Sequence, residues 1–241
     1  MIQGLPPWFA PGVKCVVLAA GKGTRAYPAT LQMPKVILPI GGRPALSYVV
    51  DFWKQYTTDF IFVVGYKQEM VVDCVSQLSV RSQFVEQKEL RGIAHALLQA
   101  RELVSQRFIL VLGDCFFRGT FEMPPDMEQG VGVWTTDNAD AIRRSYSLEL
   151  DAATGCVSRV VEKPTQLVNN LCGMGFYFFD SRIFDAIERT PPSALRNEIE
   201  ITDAIGTMIS SGHRVSPVTF NGEYLNITFE DDVRRIAVLG Q

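Results

Sequence analysis

Phosphate chemistry is concentrated between Cys15 and Lys35. The stretch CVVLAAGKGTR, Cys15 to Arg25, is an apolar run that ends in Gly21 and Gly23 and is followed by Thr24 and Arg25. Tyr27–Pro28 and then Met33–Pro34–Lys35 close the segment. Backbone N–H groups exposed by a glycine turn suit an anion, and Arg25 and Lys35 put positive charge beside it. Three readings compete here. A P-loop needs G-x-x-x-x-G-K-[ST], which this spacing does not supply. The relaxed dinucleotide form is matched by Gly21, Gly23 and Ala26, but Pro28 falls where the next helix should begin, and no acid ends the following strand, Phe60–Val64. A plain strand-ending turn with solvated Lys and Arg would account for G-x-G alone. Further along, Asp114 ends an apolar run, where a carboxylate is costly unless it meets a cation.

The elements that must position these residues follow from hydrophobic periodicity. Val13–Ala20, Phe60–Val64 and Phe108–Leu112 are short continuous apolar runs and predict buried strands, each stopped by a glycine at Gly21, Gly65 or Gly113. Helical spacing predicts helices over Ala45–Tyr56, Met70–Leu78 and Ala94–Val104. Strands alternating with helices imply an α/β fold with a mostly parallel sheet and helices on both faces. From about Thr120 the texture becomes more mixed. Val131–Thr135, Tyr146–Leu150, Val157–Glu162, Gly175–Phe179 and Val215–Phe220 read as strands, and Arg182–Glu188, Ile201–Ser211 and Glu230–Leu239 as helices. The expectation is a lead-in over 1–12, with Pro6–Pro7–Trp8 loosely ordered, and one domain over 13–241. That domain divides into a nucleotide half at 13–120 and a second half at 121–241, with ligands at the carboxyl ends of the strands.

Composition narrows the partners. The 241 residues carry a formal net charge of −3, with 47% hydrophobic and 20% charged residues. A broad nucleic-acid or acidic-membrane surface would need an excess of basic residues, so phosphate handling is expected to be local. The five cysteines (Cys15, Cys74, Cys115, Cys156 and Cys172) form no C-x-x-C pair and read as free thiols rather than a zinc site. No apolar run approaches the ~20 residues a membrane span needs, and no leader pattern is visible, so a cytoplasmic location is expected.

The string from Leu18 to Pro39, L-A-A-G-K-G-T-R-x2-P-x5-P-K-x3-P, resembles the signature of sugar-1-phosphate nucleotidyltransferases, the glucose-1-phosphate thymidylyl- and uridylyltransferase type. The resemblance implies a Rossmann-like, GT-A-type sheet. It also implies a nucleotide site formed by Leu18, Ala20, Gly21, Gly23, Thr24 and Arg25, with Lys35 near the transferred phosphate. Gln87 and Gly92 are spaced as in the family's base-reading segment, and a Gln amide can both donate to and accept from a pyrimidine edge. His95 is given no catalytic role. Asp114 matches a Mg2+ ligand, although Cys115 replaces the usual Asn. Glu162 and Lys163 match a Glu-Lys-Pro element that contacts the sugar and its phosphate, and Gly173 matches a backbone approach to the sugar. Arg196 is a further phosphate candidate, and Glu198 a structural or sugar contact. Two departures stand out. Asn226 occupies a second metal position where glucose-type enzymes carry Asp, and Ser147 stands where they carry Gly against the sugar. No counterpart is expected here for the C-terminal helical extension of longer members.

The implied reaction is NTP, with UTP or dTTP favoured, plus sugar 1-phosphate giving NDP-sugar and pyrophosphate. Mg2+ is the implied cofactor, Arg25, Lys35 and Lys163 are the candidate catalytic residues, and homo-oligomerisation is left open. Three other functions stay in view: a cytidylyltransferase on another phosphorylated acceptor, a weakly catalytic nucleotide or sugar sensor, and a glycosyltransferase. The last lacks an Asp-x-Asp metal motif.

Overall fold

The computed structural model describes residues 7–104, 107–193, 197–227 and 232. At its centre the apolar run becomes β1 (Lys14–Leu18), in parallel register with β4 (Asp59–Val64) on one side and β6 (Arg107–Leu112) on the other. Cys15 and Val17 face one side of the sheet and Val16 the other, all buried, so strand alternation feeds two cores at once. Over the first face pack α1 (Ala45–Trp53) and α2 (Gln68–Ser76). A two-residue pair, β2 (Pro39–Ile40) with β3 (Arg43–Pro44), leads into α1. The opposite face carries α3 (Ile93–Leu98), α5 (Arg182–Arg189) and α6 (Ile201–Ser210).

The remaining strands are β5 (Arg81–Glu86), β7 (Cys115–Glu122), β8 (Gln129–Thr135), β9 (Tyr146–Leu150), β10 (Val157–Glu162), β11 (Leu171–Asp180) and β12 (Val215–Asn226). The sheet runs β5-β4-β1-β6-β11-β8-β12-β7, with β9 joining β11 to β10. On that path only β11 and β7 oppose the common direction, so the central sheet is mixed and mostly parallel. Among the described residues no helix is long and apolar enough to cross a membrane.

Several boundaries differ from the sequence expectation. β5 was not expected because its side chains are mostly exposed, which removes the apolar signal of a sheet strand. β7 was missed for its polar second half, and α4 (Ala139–Arg144) for its shortness; Asn138 caps α4 by accepting from the Asp140 and Ala141 N–H groups. The helix expected over Ala94–Val104 stops at Leu98, and a single 3-10 turn follows at Arg101–Leu103. Trp8 and Phe9, expected in a loose lead-in, are buried; Trp8 donates from Nε1 to Met127 O and meets Phe178 edge-on at 5.6 Å. Apart from Asp232, the expected helix Glu230–Leu239 lies outside the described residues.

Candidate functional site

The register of β1 with β6 places Leu18 beside Leu112, so the loops after both strands open on the same edge of the sheet. Loop Gly21–Arg25 and the pair Gly113–Asp114 are thereby brought together from positions far apart in sequence. No α-helix follows the glycines. Single 3-10 turns at Thr24–Ala26, Ala29–Leu31 and Lys35–Ile37 do, as Pro28 foretold. An anion bound here would therefore face loop N–H groups and side-chain cations rather than a helix end. Gly23 takes φ 64°, and a Cβ there would lie 2.8 Å from Lys35 Cβ. Buried Thr30 donates from Oγ1 to Gly23 O at 2.8 Å and holds the loop against the sheet. The glycine is needed for both conformation and space.

A cleft of about 330 Å³ opens here. Its lining includes Leu18, Ala20, Gly21, Gly23, Thr24 and Arg25 from the first loop, Gln87 and Gly92 from the segment after β5, and Lys35 and Asp114. Every residue that the sequence assigned to nucleotide binding thus meets in one space. Arg25 has no ion-pair partner among the described residues. Gly92 takes φ 97°, and a Cβ would meet Ile199 O at 2.9 Å, because residues 198–200 dock against it through Ala94 N to Ile199 O and Ile199 N to Arg91 O. That docking also brings Glu198 and Glu200 into the lining. Lys22, Val36, Leu90, Ile93, Ala96 and Leu112 line the cleft without having been singled out. Position beside the motifs was their only sequence signal.

Asp114 is mostly buried, and its neutralising cation is Lys35, whose ammonium pairs with Oδ2 and also donates to Ile227 O at 2.8 Å. Asn226 sits next to this pair: it is in register with Cys115, and Ile227 N donates to Asp114 O at 2.9 Å. The buried Asn226 Oδ1 has no hydrogen-bond partner among the described residues. An orphaned amide oxygen beside a carboxylate is a hard-oxygen donor pair of the kind Mg2+ accepts, so these residues fit that cofactor. No cluster of three or more His, Cys, Asp or Glu side chains suited to a metal exists among the described residues. Cys115, in place of the family's Asn, packs inward, with its thiol 3.4 Å from the Tyr224 hydroxyl that accepts from Gly175 N. Burial first, then the charge of Asp114, pushes that thiol's pKa well up, which leaves Cys115 inert.

The second group of candidates assembles on β9, β10 and β11. Ser147 is in register with Val161 on one side and Cys172 on the other, and Glu162 with Tyr146. Lys163 N donates to Ser145 O at 2.8 Å, and Lys163 holds the left-handed φ of 45°, an uncommon state for a non-glycine residue. Its ammonium lies 3.7 Å from Glu162 Oε1, and Thr202 Oγ1 donates weakly to Glu162 Oε2 at 3.4 Å. Gly173 has a local reason to be glycine: a Cβ would lie 2.0 Å from the buried Tyr146 ring. Its carbonyl is taken by Ser145 Oγ at 2.7 Å. These four residues share one ladder but do not line the cleft beside the Gly21–Arg25 loop. Arg196 lies outside the described residues.

Comparison with known proteins bears on the whole chain. A family model described as Nucleotidyl transferase matches residues 14–226. The chain is 32% identical over 233 residues to UTP–glucose-1-phosphate uridylyltransferase AglF of Haloferax volcanii, covering 91% of this chain and 93% of that one. It is 29% identical to the bifunctional protein GlmU of Methanococcus maripaludis over 90% of its own length, and spans about half (52%) of that relative. A solved structure from Bacillus anthracis, provisionally named a glucose-1-phosphate thymidylyltransferase and complexed with a sucrose, superposes with TM-score 0.80 at 25% identity, covering 94% of each chain. The match runs from the first sheet strand to Asn226, the candidate metal residue at the end of the last, and on that ground the chain belongs to the nucleotidyl transferase family.

Proposed function

We propose that the protein transfers a nucleotidyl group from an NTP, UTP or dTTP, to a sugar 1-phosphate, releasing pyrophosphate. One observation carries this: all the residues expected to grip the nucleotide, with Lys35 and Asp114, line a single cleft at the strand ends. The Haloferax volcanii relative, named as a UTP–glucose-1-phosphate uridylyltransferase, supports the same reaction class.

The acceptor phosphate is itself a nucleophile, so the protein's task is positioning and charge neutralisation. The loop Gly21–Thr24 presents N–H groups to the triphosphate, and Arg25 neutralises the departing pyrophosphate. Lys35, which now balances Asp114, is placed to turn toward the transferred phosphate and offset charge in the transition state. Asp114 and Asn226 would hold Mg2+, which when bound withdraws charge from the phosphates. On the second ladder Glu162 would bind sugar hydroxyls. Lys163 would aim the sugar phosphate, its left-handed backbone being the kind of local strain that collects at functional sites. Ser147 and Gly173 would shape the sugar pocket, with Arg196 as a further phosphate contact. Residues 13–120 then form the nucleotide half and 121–241 the acceptor half of one domain.

The test is pyrophosphate release from UTP, dTTP, CTP, ATP and GTP against a panel of sugar 1-phosphates with Mg2+. UTP or dTTP should support turnover. Asp114→Ala and Lys163→Ala should each lower it at least ~100-fold while thermal melting shows the fold retained. Near-normal turnover in either purified variant overturns the assignment. No release with any pair, accompanied by ligand-induced thermal stabilisation, would favour a sensing role instead.

A further inference from the structure

Gln87 follows β5 directly and is fixed at its backbone, where N donates to Val64 O at 2.8 Å. Its side chain is buried at 5% exposure, yet Gln87 lines the cleft. Nε2 lies 3.2 Å from Gly92 O and 3.1 Å from His95 Nδ1. An amide can in principle be turned either way, but here one neighbour decides. Gly92 O can only accept, so the atom facing it must be the NH2 group and not the carbonyl oxygen. The second N–H then points at His95 Nδ1, which must be the unprotonated ring nitrogen, with the ring proton on Nε2. Both amide protons are consumed inside the protein. What Gln87 retains for a ligand is Oε1, an acceptor.

We propose that His95 is a positioning residue for base selection: by accepting the second amide N–H of Gln87 it leaves only an acceptor to face the base. This rests on the cleft being the nucleotide site. An acceptor there matches the N3–H of uracil or thymine. Cytosine offers an unprotonated N3 at the same edge, which sets acceptor against acceptor and leaves both desolvated and unpaired. Without His95, Gly92 O still engages one N–H, but the second is released as a donor and Gln87 could serve either base. With His95 in place it serves the 2,4-dioxopyrimidines.

Asparagine at position 95 provides the control, since its Oδ1 is attached at the same point of the side chain as the histidine Nδ1 and can accept the same hydrogen bond. Leucine has the same branching and no acceptor. Calorimetric titration of UTP, dTTP and CTP into the full-length protein and its His95→Leu and His95→Asn variants reads base selection without requiring turnover. The wild type should bind UTP or dTTP at least about 10-fold more tightly than CTP. His95→Leu should collapse that ratio toward unity, and His95→Asn should recover most of it, both variants melting cooperatively. In turnover assays the loss in His95→Leu should appear in the KM for UTP with kcat little changed. An unchanged ratio in His95→Leu, a failure of His95→Asn to recover a lost ratio, or a wild type that prefers CTP overturns the proposal. Failure to release pyrophosphate with any substrate pair would sink the transferase function, while the binding ratios would still decide the role of His95.

Discussion

At Asn226 a neutral amide faces a position where the family resemblance calls for a carboxylate. Its Oδ1 is buried without a partner among the described residues, a state that costs about 1–3 kcal/mol and is ordinarily relieved by a bound group. Asn226→Asp adds a second negative charge next to Asp114, opposed only in part by Lys35. Divalent-metal affinity should rise several-fold, read as Mn2+ binding by calorimetry and as a lower Mg2+ midpoint in pyrophosphate release. Unchanged metal binding would remove Asn226 from the metal site. Much at this scale was visible in the sequence, because the motif residues Gly21, Arg25, Gln87 and Asp114 declare their chemistry by type and spacing. The pairing of Lys35 with Asp114 was not, since it depends on the β1–β6 register that sets Leu18 beside Leu112. Nor was the lock on Gln87, which depends on how α3 turns His95 back toward it.

Among the elements, the β9–β11 ladder shows how a motif residue can have a packing cause. Gly173 was expected to let backbone approach a sugar. In the fold, the buried Tyr146 ring, stacked on Tyr177 at 6.2 Å, fills the space a Cβ would take. Gly173→Ala should therefore destabilise the protein by about 1–3 kcal/mol, the usual range for overpacking a core, whatever ligand the ladder serves. Urea denaturation measures this directly. Tyr146→Ala makes room for the added methyl, so the double variant should cost less than the sum of the single ones; strict additivity would show that the two residues do not compete for space. Strands with apolar cores such as β1, β4 and β6 were readable because burial on both faces leaves a continuous apolar run. β5 was not, for its side chains are mostly solvated and its strand state comes from pairing with β4.

For the whole molecule, the mostly parallel sheet with helices on both faces followed from alternating periodicities, whereas the order of its second half did not, since β11 and β12 return from distant positions to pair with β6 and β8. That return is pinned at the edge remote from Asp114 by an ionic network. Arg182 bonds Asp180 through Nε at 3.0 Å and Nη2 at 2.8 Å, and Glu128 through Nη1 at 3.1 Å, while Arg214 bonds Glu128 through Nε at 3.1 Å. Desolvation pushes the Asp180 carboxyl up, but hydrogen bonds from the Arg182 side chain and backbone and its charge outweigh this, so its pKa lies below the reference 3.8. Hydrogen bonds from Arg182 and Arg214 likewise hold Glu128 below 4.5. A folded-state pKa below the unfolded one contributes stability that is fully present above the unfolded value and is lost as pH falls through the folded one. Asp180→Asn should accordingly be less stable than wild type at pH 7 by about 1–3 kcal/mol. The gap between the two urea midpoints should then close as pH drops below about 3.8. A gap that stays constant between pH 7 and pH 3 would mean that the Asp180 charge contributes nothing, and that shape alone holds the returning strands in place.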